Sequence, residues 1–158
     1  MRTKQIMLCI LFIIGIMGIA PALYSGNSNN STSIDDVQQE TRELINTLAS
    51  YSVDQRKEAV QKAKKALDNM DKRIHALQAH IDQNWAKMNK NAQDKARTSL
   101  KTLQNKREQV TEWYKSLKSG SKDAWEHAKE GFSNAYTGLN KAWQKSKQEF
   151  DSDNGNDK

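Results

Sequence analysis

Apolar residues between positions 53 and 150 recur at alternating steps of three and four. In one stretch these steps are regular through Val60, Ala63, Leu67, Met70, Ile74, Leu77 and Ile81. This spacing places the side chains on one stripe of an α-helix. The same part of the chain contains no proline, which would break a helix. The pattern therefore predicts long helices that pack through apolar seams, and no β-sheet.

Polar residues mark where each predicted helix begins or ends. Ser33 can cap a first helix, and Ser52 with Gln55 has the form of a capping box for a second. Asn89 favours a break before the third helix, because asparagine caps well and propagates poorly. Gly120, between two serines, predicts a left-handed C-cap before the fourth helix. The predicted helices cover residues 34–51, 52–88, 90–118 and 122–150.

The last three predicted helices have similar lengths of about 45 Å at about 1.5 Å per residue. Short connections make consecutive helices antiparallel neighbours, which sets Leu67 near Val110. We therefore expect an all-α fold: an elongated antiparallel three-helix bundle or coiled coil over residues 52–150, with residues 34–51 as an N-terminal helical arm. Lys106 and Arg107 occupy a seam position, which predicts loose packing there.

The N-terminal segment has the pattern of an export signal. Arg2 and Lys4 precede an apolar run over residues 6–20, and a small-residue cleavage site follows at Ala22. Residues 1–22 are predicted to be a cleaved signal peptide, and the alternative is an uncleaved anchor through residues 6–23. The protein would then be exported, either periplasmic or anchored in the inner membrane. Composition predicts a flexible linker at residues 23–33 and a disordered acidic tail at residues 151–158.

The fourth predicted helix carries a strongly apolar, aromatic face. At about 100° per residue, five aromatic side chains fall on one side of this helix: Trp125, Phe132, Tyr136, Trp143 and Phe150. One interpretation is that they close the core of the bundle. The other is a membrane-surface helix that places these residues at the acyl boundary, which makes them a candidate interaction face.

Basic residues dominate the middle of the chain. Residues 56–118 contain 16 Lys and Arg against 7 Asp and Glu, within a chain of net charge +6. The candidate basic surface consists of Lys62, Lys64, Lys65, Lys72, Arg73 and Lys101. Such a surface attracts an anionic lipid surface or an acidic protein partner. Nucleic acid is disfavoured, because few aromatic residues are interspersed for base stacking. The apolar seams also allow a homo-oligomer.

Catalytic, cofactor-binding and metal-binding signatures are missing from the sequence, which predicts a non-enzymatic protein without a cofactor. His75 and His80 are five residues apart and point about 140° from one another on a helix, so they cannot share a metal. Asp123, His127 and Glu130 share a helix face, but their pattern is typical of a solvated surface. The one cysteine, Cys9, lies in the signal segment.

Several short motifs give the chain a family resemblance. They are VDQRKEA (residues 53–59), IDQNW (81–85), AR (96–97), QNKR (104–107), EWY (112–114), DAWE (123–126) and GF (131–132). Together they resemble a little-characterised bacterial family of small exported helical or coiled-coil proteins, some of which are labelled stress-response proteins. The resemblance implies a helical envelope protein and adds no catalytic or binding residue.

These observations predict a non-enzymatic bacterial envelope protein. It would act as a structural or stress-related helical module that contacts the membrane surface or protein partners. The alternative is a periplasmic holdase-type chaperone for unfolded exported proteins.

Overall fold

The described residues are entirely helical apart from short connections. The computed structural model describes residues 33–153, among which there is no β-strand. Turns of 3-10 helix at Val53–Gln55 and Trp85–Lys87 flank the second of four α-helices. The helices are α1 (Ile34–Ser50), α2 (Arg56–Asn84), α3 (Lys90–Ser119) and α4 (Trp125–Asp153). The predicted all-α bundle is confirmed.

Polar side chains begin the helices where the sequence predicts them. The Ser33 hydroxyl accepts a hydrogen bond from the backbone N–H of Asp36 at 3.1 Å. The Asn89 side chain accepts from the backbone N–H of Ala92 at 2.9 Å, at the start of α3. Each cap satisfies one of the backbone donors that a helix leaves unpaired at its first turn.

The end of α3 differs from the expectation. Gly120 has φ −61° and ψ 149°, so the predicted left-handed cap is wrong. Its backbone N–H donates to the Ser116 carbonyl oxygen at 2.8 Å. A Cβ at this position would lie 2.6 Å from the same oxygen. Glycine therefore permits a close backbone approach here, while φ stays in the ordinary range.

Helices α2 and α3 form an antiparallel pair in the predicted register. Arg107 donates to both carboxylate oxygens of Asp71, at 3.0 and 2.8 Å, and this pairing fits Leu67 lying near Val110. This hydrogen bonding to Asp71 also raises the pKa of Arg107. A bidentate ion pair thus occupies the position where loose packing was expected.

The helix predicted as an N-terminal arm joins the bundle as a fourth member. Helix α1 runs antiparallel to α4 and packs on both α4 and α2. Val37 and Leu48 are fully buried, and Thr41 is 5 % exposed. Their spacing of four and seven residues gives α1 one inward face, and only Tyr51 and Ser52 separate its end from the next helical turn. Adjacent helices therefore alternate in direction around the bundle.

The predicted signal segment, most of the linker and the end of the acidic tail lie outside the described residues. Within residues 33–153, no helix combines the length and the apolar character that crossing a membrane requires.

Candidate interaction surfaces

The aromatic face of α4 lies in the core of the bundle. All five predicted side chains are at most 4 % exposed: Trp125, Phe132, Tyr136, Trp143 and Phe150. They join Leu67, Leu103 and the other stripe residues of α2 and α3 in one apolar cluster. In this conformation the candidate interaction face therefore contacts other helices of the same chain.

Tyr136 shows how completely this face is enclosed. Its ring stacks on Phe132 with centroids 5.9 Å apart, and its hydroxyl donates to the Ala66 carbonyl oxygen at 3.2 Å. Burial raises the pKa of Tyr136 to about 12, because the phenolate would be poorly solvated between α2 and α4. The nearby charges of Arg73 and Glu40 act on this pKa in opposite directions.

The C-terminal end of α1 is held by side chains of α4. Lys129, only 6 % exposed, donates to the carbonyl oxygens of Ala49 at 3.3 Å and Tyr51 at 2.8 Å. The indole N–H of Trp125 donates to the Tyr51 carbonyl at 3.2 Å. The last turn of α1 has no basic residue of its own. Lys129 thus supplies, from a neighbouring helix, the positive charge that favours a helix C-terminus.

A polar chain links the middle of α1 to α4. Gln38 donates to Gln144 at 3.0 Å, Gln144 donates to Asn140 at 3.1 Å, and Asn140 donates to the Thr41 hydroxyl at 2.8 Å. The Thr41 hydroxyl in turn donates to the Val37 carbonyl oxygen. Asn140 and Thr41 are both buried, so their hydrogen bonds fix the register of the two helices.

Two of the six side chains of the candidate basic surface form ion pairs, and the other four are exposed. Lys64 forms an ion pair with Asp68 at 2.6 Å, and this hydrogen bond raises the pKa of Lys64. The Arg73 side chain is only 11 % exposed and pairs with Glu40 of α1 at 2.6 Å. The remaining four are exposed and form no ion pair among the described residues: Lys62, Lys65, Lys72 and Lys101.

An open groove runs between the outer sides of α3 and α4. It has a volume of about 540 Å³, with Trp113, Gly131 and Lys106 along its walls. The Trp113 ring lies against the backbone of Gly131 and meets His127 edge-to-face, with ring centroids 5.1 Å apart. His127 is thus an aromatic contact of Trp113. No group of three or more His, Cys, Asp or Glu residues within 33–153 could hold a metal ion.

Sequence reasoning missed the residues that attach α1. Lys129 and Asn140 look like ordinary polar positions of an amphipathic helix, and their partners are about 80 and 99 residues away. Only the acidic character of α1 hinted at a basic partner. The seven-residue spacing of Val37, Leu44 and Tyr51 could have shown that α1 has a face to bury.

Comparisons of the chain with protein-family models, with curated proteins and with solved structures gave no match. The family resemblance of residues 53–150 stays a prediction.

Proposed function

We propose that the chain is a non-enzymatic helical module of the bacterial cell envelope that binds an anionic membrane surface through exposed lysines. The observation that supports this most directly is the set of four exposed lysines on α2 and α3 without an ion-pair partner among the described residues. Lysines whose charge is not neutralised by the protein remain available to lipid phosphates.

Because the aromatic face is buried, the basic surface is the better candidate for the first contact with a membrane. Trp125, Trp143 and Phe150 are at most 4 % exposed, so the folded bundle offers none of them to a partner. Electrostatic attraction acts through solvent and needs no change in the fold. The export pattern at Arg2, Lys4 and the following apolar run supports an envelope location.

Co-sedimentation with vesicles tests the proposal. Wild-type chain is compared with a variant that carries Lys62→Gln, Lys65→Gln, Lys72→Gln and Lys101→Gln. Each lysine near an anionic surface contributes about 1 kcal/mol, so we expect the loss of four lysines to weaken binding to anionic vesicles by up to about 1,000-fold. Binding of the wild type should also weaken as salt rises, because the Debye length is only about 10 Å at 0.1 M.

A matched variant distinguishes binding through this particular surface from attraction by the net charge of the protein. It removes four other exposed lysines: Lys115, Lys118, Lys122 and Lys141. We expect it to retain most of the wild-type binding. Equal losses in the two variants would mean that overall charge alone drives binding, and no binding of the wild type would refute the proposal.

The compartment has its own test. Cell fractionation, with the mass of the N-terminal peptide, should give a mature chain that begins at Leu23. A chain that retains residues 1–22 in the integral-membrane fraction would support the anchored form.

The holdase alternative requires exposed apolar surface that can bind unfolded chains. The closed core offers little such surface in residues 33–153, so membrane binding remains the first proposal. Suppression of the aggregation of an unfolded client, without binding to anionic vesicles, would reverse this order.

A further inference from the structure

Helix α1 covers a groove that is both cationic and aromatic. From α2, Arg73 reaches Glu40 of α1 at 2.6 Å. From α4, Lys129 and Trp125 reach the last carbonyl groups of α1. Tyr136 lies close enough to the Arg73–Glu40 pair for both charges to act on its pKa. Two cations and two aromatic rings therefore lie along the path of α1.

Cations also surround the Trp125 ring itself. The guanidinium of Arg56 lies 5.2 Å from the ring centroid, and the Lys129 ammonium lies 5.7 Å from it. Such cation–π contacts strengthen when water is removed from around them. Lys129 also pairs with Glu126 of α4 at 3.0 Å, so this end of the groove places two cations, one of them paired with a carboxylate, around an indole.

The charge of α1 is complementary to this groove. Helix α1 has a single cation, Arg42, and a net charge of −3. Its acidic residues are Asp35, Asp36, Glu40 and Glu43. Glu40 forms the ion pair with Arg73, so at this point the helix supplies the negative charge that an anionic ligand would supply.

The attachment of α1 combines a small apolar face with polar contacts. Val37 and Leu48 are fully buried, and partly buried apolar residues of α1 pack beside them on the core. The links through Gln38–Gln144 and Asn140–Thr41 are neutral hydrogen bonds, whose net contribution is modest because water can replace the partner. Helix α1 is also the shortest of the four described α-helices. A short helix held in this way opens locally more readily than the core of the other three helices.

We propose that α1 is a displaceable strap and that the groove beneath it is a second binding surface for an anionic membrane. This inference rests on the proposed function, because the exposed lysines make the first contact. The anionic headgroups then take the place of the Glu40 carboxylate beside Arg73 and of the carbonyl oxygens beside Lys129 at the end of α1. Trp125 and Tyr136 suit the boundary between headgroups and acyl chains, where amphipathic aromatic rings accumulate.

A reversible cross-link tests whether α1 must leave. The experiment uses the chain as recovered from cells, with Cys9→Ser, Thr41→Cys and Asn140→Cys. The Asn140 amide nitrogen lies 2.8 Å from the Thr41 hydroxyl oxygen, so cysteines at these two positions face one another across the contact of α1 with α4. Tryptophan emission and co-sedimentation are measured before and after reduction, with anionic and with zwitterionic vesicles that contain brominated lipids.

We expect the reduced protein to bind anionic vesicles, and brominated acyl chains should quench tryptophan emission once Trp125 reaches the bilayer. The oxidised protein should lose this quenching and bind at least about tenfold more weakly, because the competent open state is no longer accessible. Equal binding and equal spectra in the two forms would show that α1 does not have to leave the groove, and would leave the proposed function intact. No binding in either form or in the wild type would refute both.

A cross-link between two chains would also refute a membrane occupant, because α1 of a second copy would then fill the groove. Asn140→Ala provides an independent test that changes no charge and needs no disulfide. It removes the donor to Thr41, so α1 should detach more often and quenching by brominated lipids should appear at about three- to tenfold lower lipid concentration. Unchanged or weaker binding of this variant would contradict the proposal.

Discussion

At Gly131 the absence of a side chain determines how closely α3 and α4 approach. A Cβ built there would lie 2.4–2.5 Å from three ring carbons of Trp113. Gly138, seven residues later on α4, has only the Lys106 side chain nearby, at 3.9 Å. The two glycines are equivalent in the sequence pattern, yet only one of them contacts a large ring. Sequence alone could not distinguish them, because the difference depends on where Trp113 packs.

Alanine substitutions should separate the two glycines. Gly131→Ala should lower the free energy of unfolding by about 1–2 kcal/mol, since overpacking exceeds the gain in helix propensity. Gly138→Ala should raise it by about 0.5–1 kcal/mol. Urea unfolding measures both changes. In a Trp113→Ala background the penalty at Gly131 should disappear, and a penalty that persists there would place its cause elsewhere.

The raised pKa of Tyr136 predicts that the protein loses stability at alkaline pH. Its pKa in the folded state is about 12, above the ordinary value of 10.0 that applies in the unfolded chain. The neutral phenol therefore makes its full contribution to the free energy of unfolding below pH 10, and this contribution is lost as the pH rises towards 12. A shift of this size corresponds to about 2–3 kcal/mol.

The substitution Tyr136→Phe isolates this effect. The variant cannot ionise at position 136, so its free energy of unfolding should fall less than that of the wild type between pH 9 and pH 11.5, in urea titrations at each pH. Parallel pH profiles for the two proteins would show that Tyr136 is accessible to solvent before unfolding.

At the scale of single helices, α1 and α4 show what periodicity can and cannot predict. The aromatic face of α4 was identified from its spacing, and so was the pairing of α2 with α3. Whether the α4 face was core or surface depended on partners distant in sequence. The spacing within α1 predicted a helix, but its attachment also depends on distant residues: Thr41 and Gln38 hydrogen-bond with α4.

Replacing Lys129 should loosen α1 specifically. Lys129→Met removes the donor to the Ala49 and Tyr51 carbonyl oxygens and the charge at the end of α1. We expect a loss of about 1–3 kcal/mol in the free energy of unfolding. Lys141→Met, at an exposed position of the same helix, should change it by less than about 0.5 kcal/mol. Equal effects at the two positions would contradict a role of Lys129 as a cap.

For the whole molecule, the helices differ in how strongly they are held. Helices α3 and α4 share the most extensive contact, with Trp113 pressed against Gly131. Helix α1 is the shortest, with 17 residues, and buries only three of them. An isolated helix of this length is marginal in water, so α1 depends on docking for its structure. The bundle should therefore open from α1 before it unfolds globally.

Native-state hydrogen exchange can test this order. Amides of α1 should exchange through an opening whose free energy is lower than that of α3 and α4 by about 2 kcal/mol or more, because α1 can detach while the other three helices keep their apolar core. Asn140→Ala should lower the protection of α1 by about five- to tenfold and leave the central amides of α3 unchanged, since α1 loses the donor to Thr41 while α3 loses no hydrogen-bond partner. If all four helices exchange at one common free energy, α1 does not open independently. Residues 33–153 would then unfold as one cooperative unit, and any surface beneath α1 would be accessible only in the unfolded chain.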